Sequence, residues 1–118
     1  MKIGTFITLL VLTLSSCTEH VGGYDAPDDL LSKDKMIEVL TEMMKLETHI
    51  KDTYVRVDRF YPVMTASGDS LLRSMGVTPE RFDESMQYYA SYQDKMQEIY
   101  SEVLEELNKE LGELQQSK

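Results

Sequence analysis

The chain has 118 residues, with 21 acidic against 12 basic side chains, a net charge of −9, one cysteine and no tryptophan. Such acidity repels phosphate backbones and anionic lipid headgroups, so nucleic acid is not an expected partner. A lone cysteine excludes an intrachain disulfide and a cysteine-rich metal site, and the length suits one domain.

In chain order, residues 1–16 have the layout of an export signal. Lys2 opens it, the run Ile3 to Leu14 is apolar apart from Gly4, Thr5, Thr8 and Thr13, and the small residues Ser15 and Ser16 close it. The run is too short to cross a bilayer, which takes about 20 apolar residues. These residues by themselves also allow a plain secretory signal, cut near Ser16 with a free thiol left behind. However, Leu14-Ser15-Ser16-Cys17 resembles the lipobox of bacterial lipoproteins. The resemblance implies that the Cys17 thiol carries a diacylglyceryl group and becomes the first residue after cleavage. One acyl chain binds a membrane marginally at about 0.8 kcal/mol per buried methylene, whereas two or three hold a protein stably. The expected location is the cell envelope, with the domain anchored through acylated Cys17. Thr18 and Glu19 do not form an acid-rich export run, which favours a periplasm-facing site.

Residues 17–29 are polar, carry Gly22, Gly23 and Pro27, and read as a tether that spans roughly 20 Å when flexible. His20 lies there without neighbouring ligands. Residues 30–118 read as a single α-helical domain. Ser32 is a candidate amino-terminal cap, followed at helical spacing by Met36, Leu40, Met43, Ile50, Tyr54, Val57 and Tyr61, with Glu47 in the series. Ile37, Met44 and Leu46 widen the stripe. Pro62 is expected to end or closely follow this helix, because it removes a backbone donor and clashes with the preceding turn.

The stretch from Thr65 to Asp69, TASGD, reads as a break. Asp69 would then cap a short helix through Leu71, Leu72 and Met75, stopped by Gly76 in the left-handed conformation. Thr78-Pro79-Glu80 combines a cap, a proline at the first helical position and an acid facing the helix dipole. Phe82, Met86, Tyr89, Met96, Tyr100, Val103, Leu107, Leu111 and Leu114 follow at helical spacing, with weak helix formers at Ser91 to Asp94 marking a bend or break. The expected fold is all-α, with two main helices, the second long and bent or split, plus a short connecting helix.

Three blocks carry a family resemblance. They are Met36-Ile37 with Leu40, Glu42 and Glu47; Gly76-Val77-Thr78-Pro79-Glu80 with Phe82, Ser85, Tyr88 and Tyr89; and Ile99-Tyr100 with Val103, Leu104 and Leu107. In order and spacing they resemble the small lipoproteins of Bacteroidetes-type bacteria grouped as domain-of-unknown-function family 4296. That family tends to place an aspartate, a histidine two residues later and a glutamate three beyond it. This chain departs from the pattern, with Glu42, Met44 and Glu47 at those positions, so a thioether replaces the imidazole. The resemblance implies a lipid-anchored helical domain and no particular activity.

No catalytic residues, metal site or cofactor is expected. His49 has no second histidine at helical spacing, Glu42 and Glu47 are not one turn apart, and Glu47 is placed to pair with Lys51. Met43 and Met44, with Tyr88, Tyr89 and Tyr92, are candidates for an interaction surface, the alternative being that they fill the core. The expected function is a lipid-anchored interaction or assembly module for an envelope protein. The alternative is a periplasmic chaperone-like binder of unfolded or apolar segments. The apolar stripe of the last helix could also pair with a second copy of the chain.

Overall fold

A computed structural model describes residues 23–54 and 56–117. The leader, the Leu14-Ser15-Ser16-Cys17 motif and the first part of the tether lie outside the described residues. The described chain is all-helical, with four helices: α1 (Lys33–Thr53), α2 (Val57–Ser74), α3 (Pro79–Ala90) and α4 (Gln93–Gln116).

Helix α1 starts where its cap predicts, with the Ser32 hydroxyl accepting from the Lys35 N–H at 3.2 Å. It ends earlier than expected, at Thr53, and Pro62 lies inside α2. A proline in the second turn still withholds a donor, but there it sits near a solvent-exposed helix start, where water satisfies the orphaned carbonyl. TASGD is likewise helical and not a break, so the expected short helix is the end of α2. The reason is tertiary: Gly68 is buried against α1, and a Cβ there would meet Met43 Sδ at 3.5 Å, an ordinary packing contact. Thr65 donates its hydroxyl to the Tyr61 carbonyl at 3.0 Å, as a helical threonine does. Packing on α1 outweighs the turn preference of these residues.

Gly76 does stop α2, at φ 73°. The Val77 N–H bonds the Leu72 carbonyl and the Gly76 N–H bonds the Arg73 carbonyl, a Schellman closure in which the flanking Leu72 and Val77 are both buried. Thr78 then caps α3, accepting from the Arg81 N–H at 3.2 Å, with Pro79 in the first turn. The long last helix is split, as its weak stretch predicts, with Ser91 and Tyr92 standing between α3 and α4.

The core lies around the first half of α1. Met36, Ile37, Val39 and Leu40 meet Leu31, Leu72, Val77, Tyr89, Ile99 and Val103 from the other elements. Both the i, i+3 and the i+1 positions of α1 are covered, so this helix is central, with α2 and α4 packed on it and α3 packed on both of those. The second half of α1 and the end of α4 run beyond that core. Leu111 and Leu114 are accordingly exposed, while Leu104, next to buried Val103, is exposed on the side of α4 turned from the core.

Candidate interaction cleft

Helices α1 and α4 run parallel, in a register set by lysines. Lys33 Nζ donates to Glu98 and Glu102, each at 2.7 Å, and twelve positions further along α1 Lys45 Nζ donates to both oxygens of Glu110 at 3.0 Å. Lys45 also pairs with Glu42 at 2.5 Å. These carboxylates hold the Lys33 ammonium well above the ordinary lysine value, Glu102 ahead of Glu98, and raise Lys45 through Glu42 and then Glu110. All these groups are a third or more exposed, so the bridges contribute alignment more than stability.

The register brings two acidic ladders together. Asp34, Glu38 and Glu42 recur every four residues on α1, and Glu102, Glu106 and Glu110 do the same on α4; all six line a groove of about 360 Å³ together with Ile37 and Thr41. A four-residue step along a helix is about 6 Å, so each ladder is about 12 Å long. Glu38 is paired with Lys35 at 2.9 Å, and the lysines at the two ends take Glu102, Glu42 and Glu110. Among the described residues, Asp34 and Glu106 have no cationic partner. Like charges one turn apart, repeated on the facing helix, oppose folding; Lys33, Lys35 and Lys45 offset part of this charge, and the carboxylates in excess leave the groove net negative.

Thr41 sits in this groove and is 5 % exposed, yet its Oγ1 has no hydrogen-bond partner. The other helical threonines behave differently. Thr48, Thr53 and Thr65 each donate to the carbonyl four residues back, at 2.9–3.0 Å. A buried hydroxyl left unpaired costs about 1–3 kcal/mol.

Past the Lys45–Glu110 bridge the same cleft changes character. Met44, Thr48, Lys51, Leu107, Leu111 and Leu114 line an apolar stretch of about 580 Å³. Leu111 and Leu114 are 55 % and 65 % exposed there. The cleft is therefore acidic toward the core end and apolar toward the far end.

The tyrosines lie elsewhere, where the chain enters the domain. Tyr89 is buried and donates its hydroxyl to the Leu31 carbonyl at 2.8 Å, while the Leu31 N–H donates to the Ser85 hydroxyl at 3.0 Å. Burial pushes the Tyr89 phenol above its ordinary value. The tether residues before Leu31 follow α3: Arg81 Nε donates to the Asp29 carbonyl at 2.6 Å, and the Tyr24 N–H donates to the Ser91 hydroxyl at 3.2 Å. Gly23 lies so close to the Tyr92 ring that a Cβ there would collide with it. Tyr88 meets Tyr89 edge-on at 75° and Tyr92 at a tilt of 58°, with centroids 5.2 Å apart in both pairs. Lys95 Nζ lies 4.6 and 4.3 Å from the Tyr88 and Tyr92 ring centres. It also donates to the Tyr88 hydroxyl at 2.6 Å, and this bond raises its affinity for a proton.

The five side chains singled out from the sequence thus fall in three places. Met44 lines the apolar stretch of the cleft, Met43 packs half-buried on the core beside Gly68, and the tyrosines hold the entry of the chain, with Tyr89 committed to Leu31. Glu42 lies in the acidic stretch whereas Met44 and Glu47 line the apolar one, and Glu47 pairs with Lys51 at 2.6 Å. Among the described residues, no three histidine, cysteine, aspartate or glutamate side chains converge as metal ligands. Sequence reasoning passed over Thr41 and both acidic ladders. The four-residue repeat of Asp34, Glu38 and Glu42 and of Glu102, Glu106 and Glu110 was a visible signal, but its meaning depends on α1 and α4 lying in parallel.

Residues 27–113 match the family described as Domain of unknown function (DUF4296), and the chain belongs to that family. The match begins in the tether and takes in all of α1, α2 and α3 and most of α4. No curated protein and no solved structure matches the chain.

Proposed function

We propose that this protein is a lipid-anchored, non-catalytic interaction module of the cell envelope, held by acylated Cys17 and offering the α1–α4 cleft to a protein partner. The observation that carries the reading is the pair of parallel helices extending past the core, with Leu111 and Leu114 left exposed on α4 where they line the cleft. Surface leucines along one helix stripe mark contact surfaces when they are contiguous. Leu14-Ser15-Ser16-Cys17 supports the anchor. The chaperone-like alternative calls for methionine faces open to clients. It is the weaker reading, because Met36 is buried and Met43, Met44, Met75, Met86 and Met96 pack against the core.

Two measurements test this. Mass spectrometry of the membrane-bound protein should find a mature chain starting at acylated Cys17, and Cys17→Ser should release it from the membrane. Photocrosslinking in cells from Thr48 and Leu114, exposed residues that line the cleft, with the anchor intact, should capture one recurrent envelope protein. An unacylated Cys17 refutes the anchor; a diffuse set of unfolded outer-membrane proteins refutes the module in favour of the chaperone.

A further inference from the structure

We propose that the acidic stretch of the α1–α4 cleft receives a basic segment of a partner protein, one whose lysine or arginine side chains recur about every 6 Å and are flanked by apolar residues. This deepens the interaction-module reading and rests on it. Four features point to this occupant.

The first is charge. Six carboxylates line one groove in two rows, and Asp34 and Glu106 have no cation among the described residues. The second is spacing: the carboxylates do not converge on a point, as a metal ion would need, but repeat in steps of about 6 Å along about 12 Å. Side chains on one face of an extended segment repeat at about 6.6 Å, and those one turn apart on a helix at about 6 Å, so either backbone can set cations against successive acids.

Thr41 supplies the third. It is buried in the groove, and its Oγ1 lacks the partner that Thr48, Thr53 and Thr65 all find in their own helices. Oγ1 itself is closed off from solvent, and a turn about χ1 brings it to the groove that Thr41 lines, where a bound segment's N–H or carbonyl completes it. The fourth is continuity. Beyond Lys45 and Glu110 the cleft turns apolar, with Met44, Leu107, Leu111 and Leu114, so a segment running along it meets acids and then leucines. A free polyamine would use only the first half.

The test uses the full chain in non-ionic detergent and a fluorescent peptide, Leu-Ala-Leu-Lys-Ala-Lys-Ala-Lys-Leu-Ala-Leu, followed by anisotropy. Binding should weaken as salt rises from 50 to 300 mM and should be absent for the peptide with glutamine in place of lysine. Glu38→Gln with Glu106→Gln should weaken binding about 10-fold, and Thr41→Val and Leu111→Asn several-fold each. Glu105→Gln, an exposed acid that does not line the cleft, should change it less than twofold. Circular dichroism confirms that each variant is folded, and a shift of the Thr41 amide resonance on titration reports the site independently of any variant. The proposal is overturned if the double glutamine variant binds like Glu105→Gln or if the peptide fails to bind below millimolar concentration. It is equally overturned if spermidine displaces the peptide completely while Leu111→Asn has no effect, which would assign the groove to a polyamine. Peptide failure beside a recurrent crosslinked envelope partner would remove only this inference; absence of any partner would remove the module itself.

Discussion

Leu31 is the residue at which the tether becomes the domain, and both of its backbone polar groups are held by α3. Its N–H donates to Ser85 Oγ at 3.0 Å and its carbonyl accepts from Tyr89 at 2.8 Å, with Leu31 and Ser85 1 % and 0 % exposed. Ser85→Ala strands a buried N–H, which costs about 1–3 kcal/mol because water cannot replace the lost acceptor. Tyr89→Phe keeps the ring and removes only the hydroxyl, at about 1–2 kcal/mol. Because both bonds hold the two peptide groups flanking one residue, Leu31, the double variant should lose less than the sum of the two. For a two-state domain of this size, 2 kcal/mol lowers Tm by about 8–16 °C. Thermal and urea unfolding followed at 222 nm measure each value, and exchange of the Leu31 amide reports the latch directly. The reasoning fails if Ser85→Ala stays within about 0.5 kcal/mol of the parent, or if the Leu31 amide exchanges at the same rate in both.

Three further outcomes follow from single residues. Thr41→Val removes the orphaned buried hydroxyl and should stabilise the protein by about 1 kcal/mol in urea unfolding, a loss of stability counting against its unpaired state. Gly76→Ala places a Cβ on a residue at φ 73° and should destabilise by about 1–2 kcal/mol, although nothing crowds the site; an unchanged Tm would refute backbone strain as the cause. Lys33 is raised by Glu102 and Glu98, so its contribution is fully present below the unfolded lysine value of about 10.4 and fades as pH rises through the higher folded value. Lys33→Met should therefore flatten the alkaline limb of a stability–pH curve above about pH 10.4, while equal slopes in the two proteins would exclude the pairing.

Much of this fold is local chemistry and could be read from neighbouring residues. Ser32 and Thr78 cap helices because a short oxygen-bearing side chain reaches N–H groups within its own first turn, and Pro79 fits where no donor is needed. Gly76 closes α2 because a left-handed residue favours glycine. The weak stretch at Ser91 to Asp94 yields a break for an equally local reason. Pro62 is tolerated because it lies in the exposed second turn of α2, whereas the state of TASGD is not set locally. Gly68 is helical where α2 lies on Met43, and only the packing of two distant segments makes that favourable over a turn. The Leu31 latch spans 54 and 58 positions to Ser85 and Tyr89, and the cleft joins lysines and glutamates 65 to 69 positions apart. Helical spacing states which residues share a face, whereas which face meets which, and whether two helices run parallel, depends on how all four bury their apolar stripes at once. The sequence by itself therefore determined a capped, acidic, helical chain; the tertiary structure decided that two of its acidic faces meet across a cleft, with an unpaired hydroxyl between them.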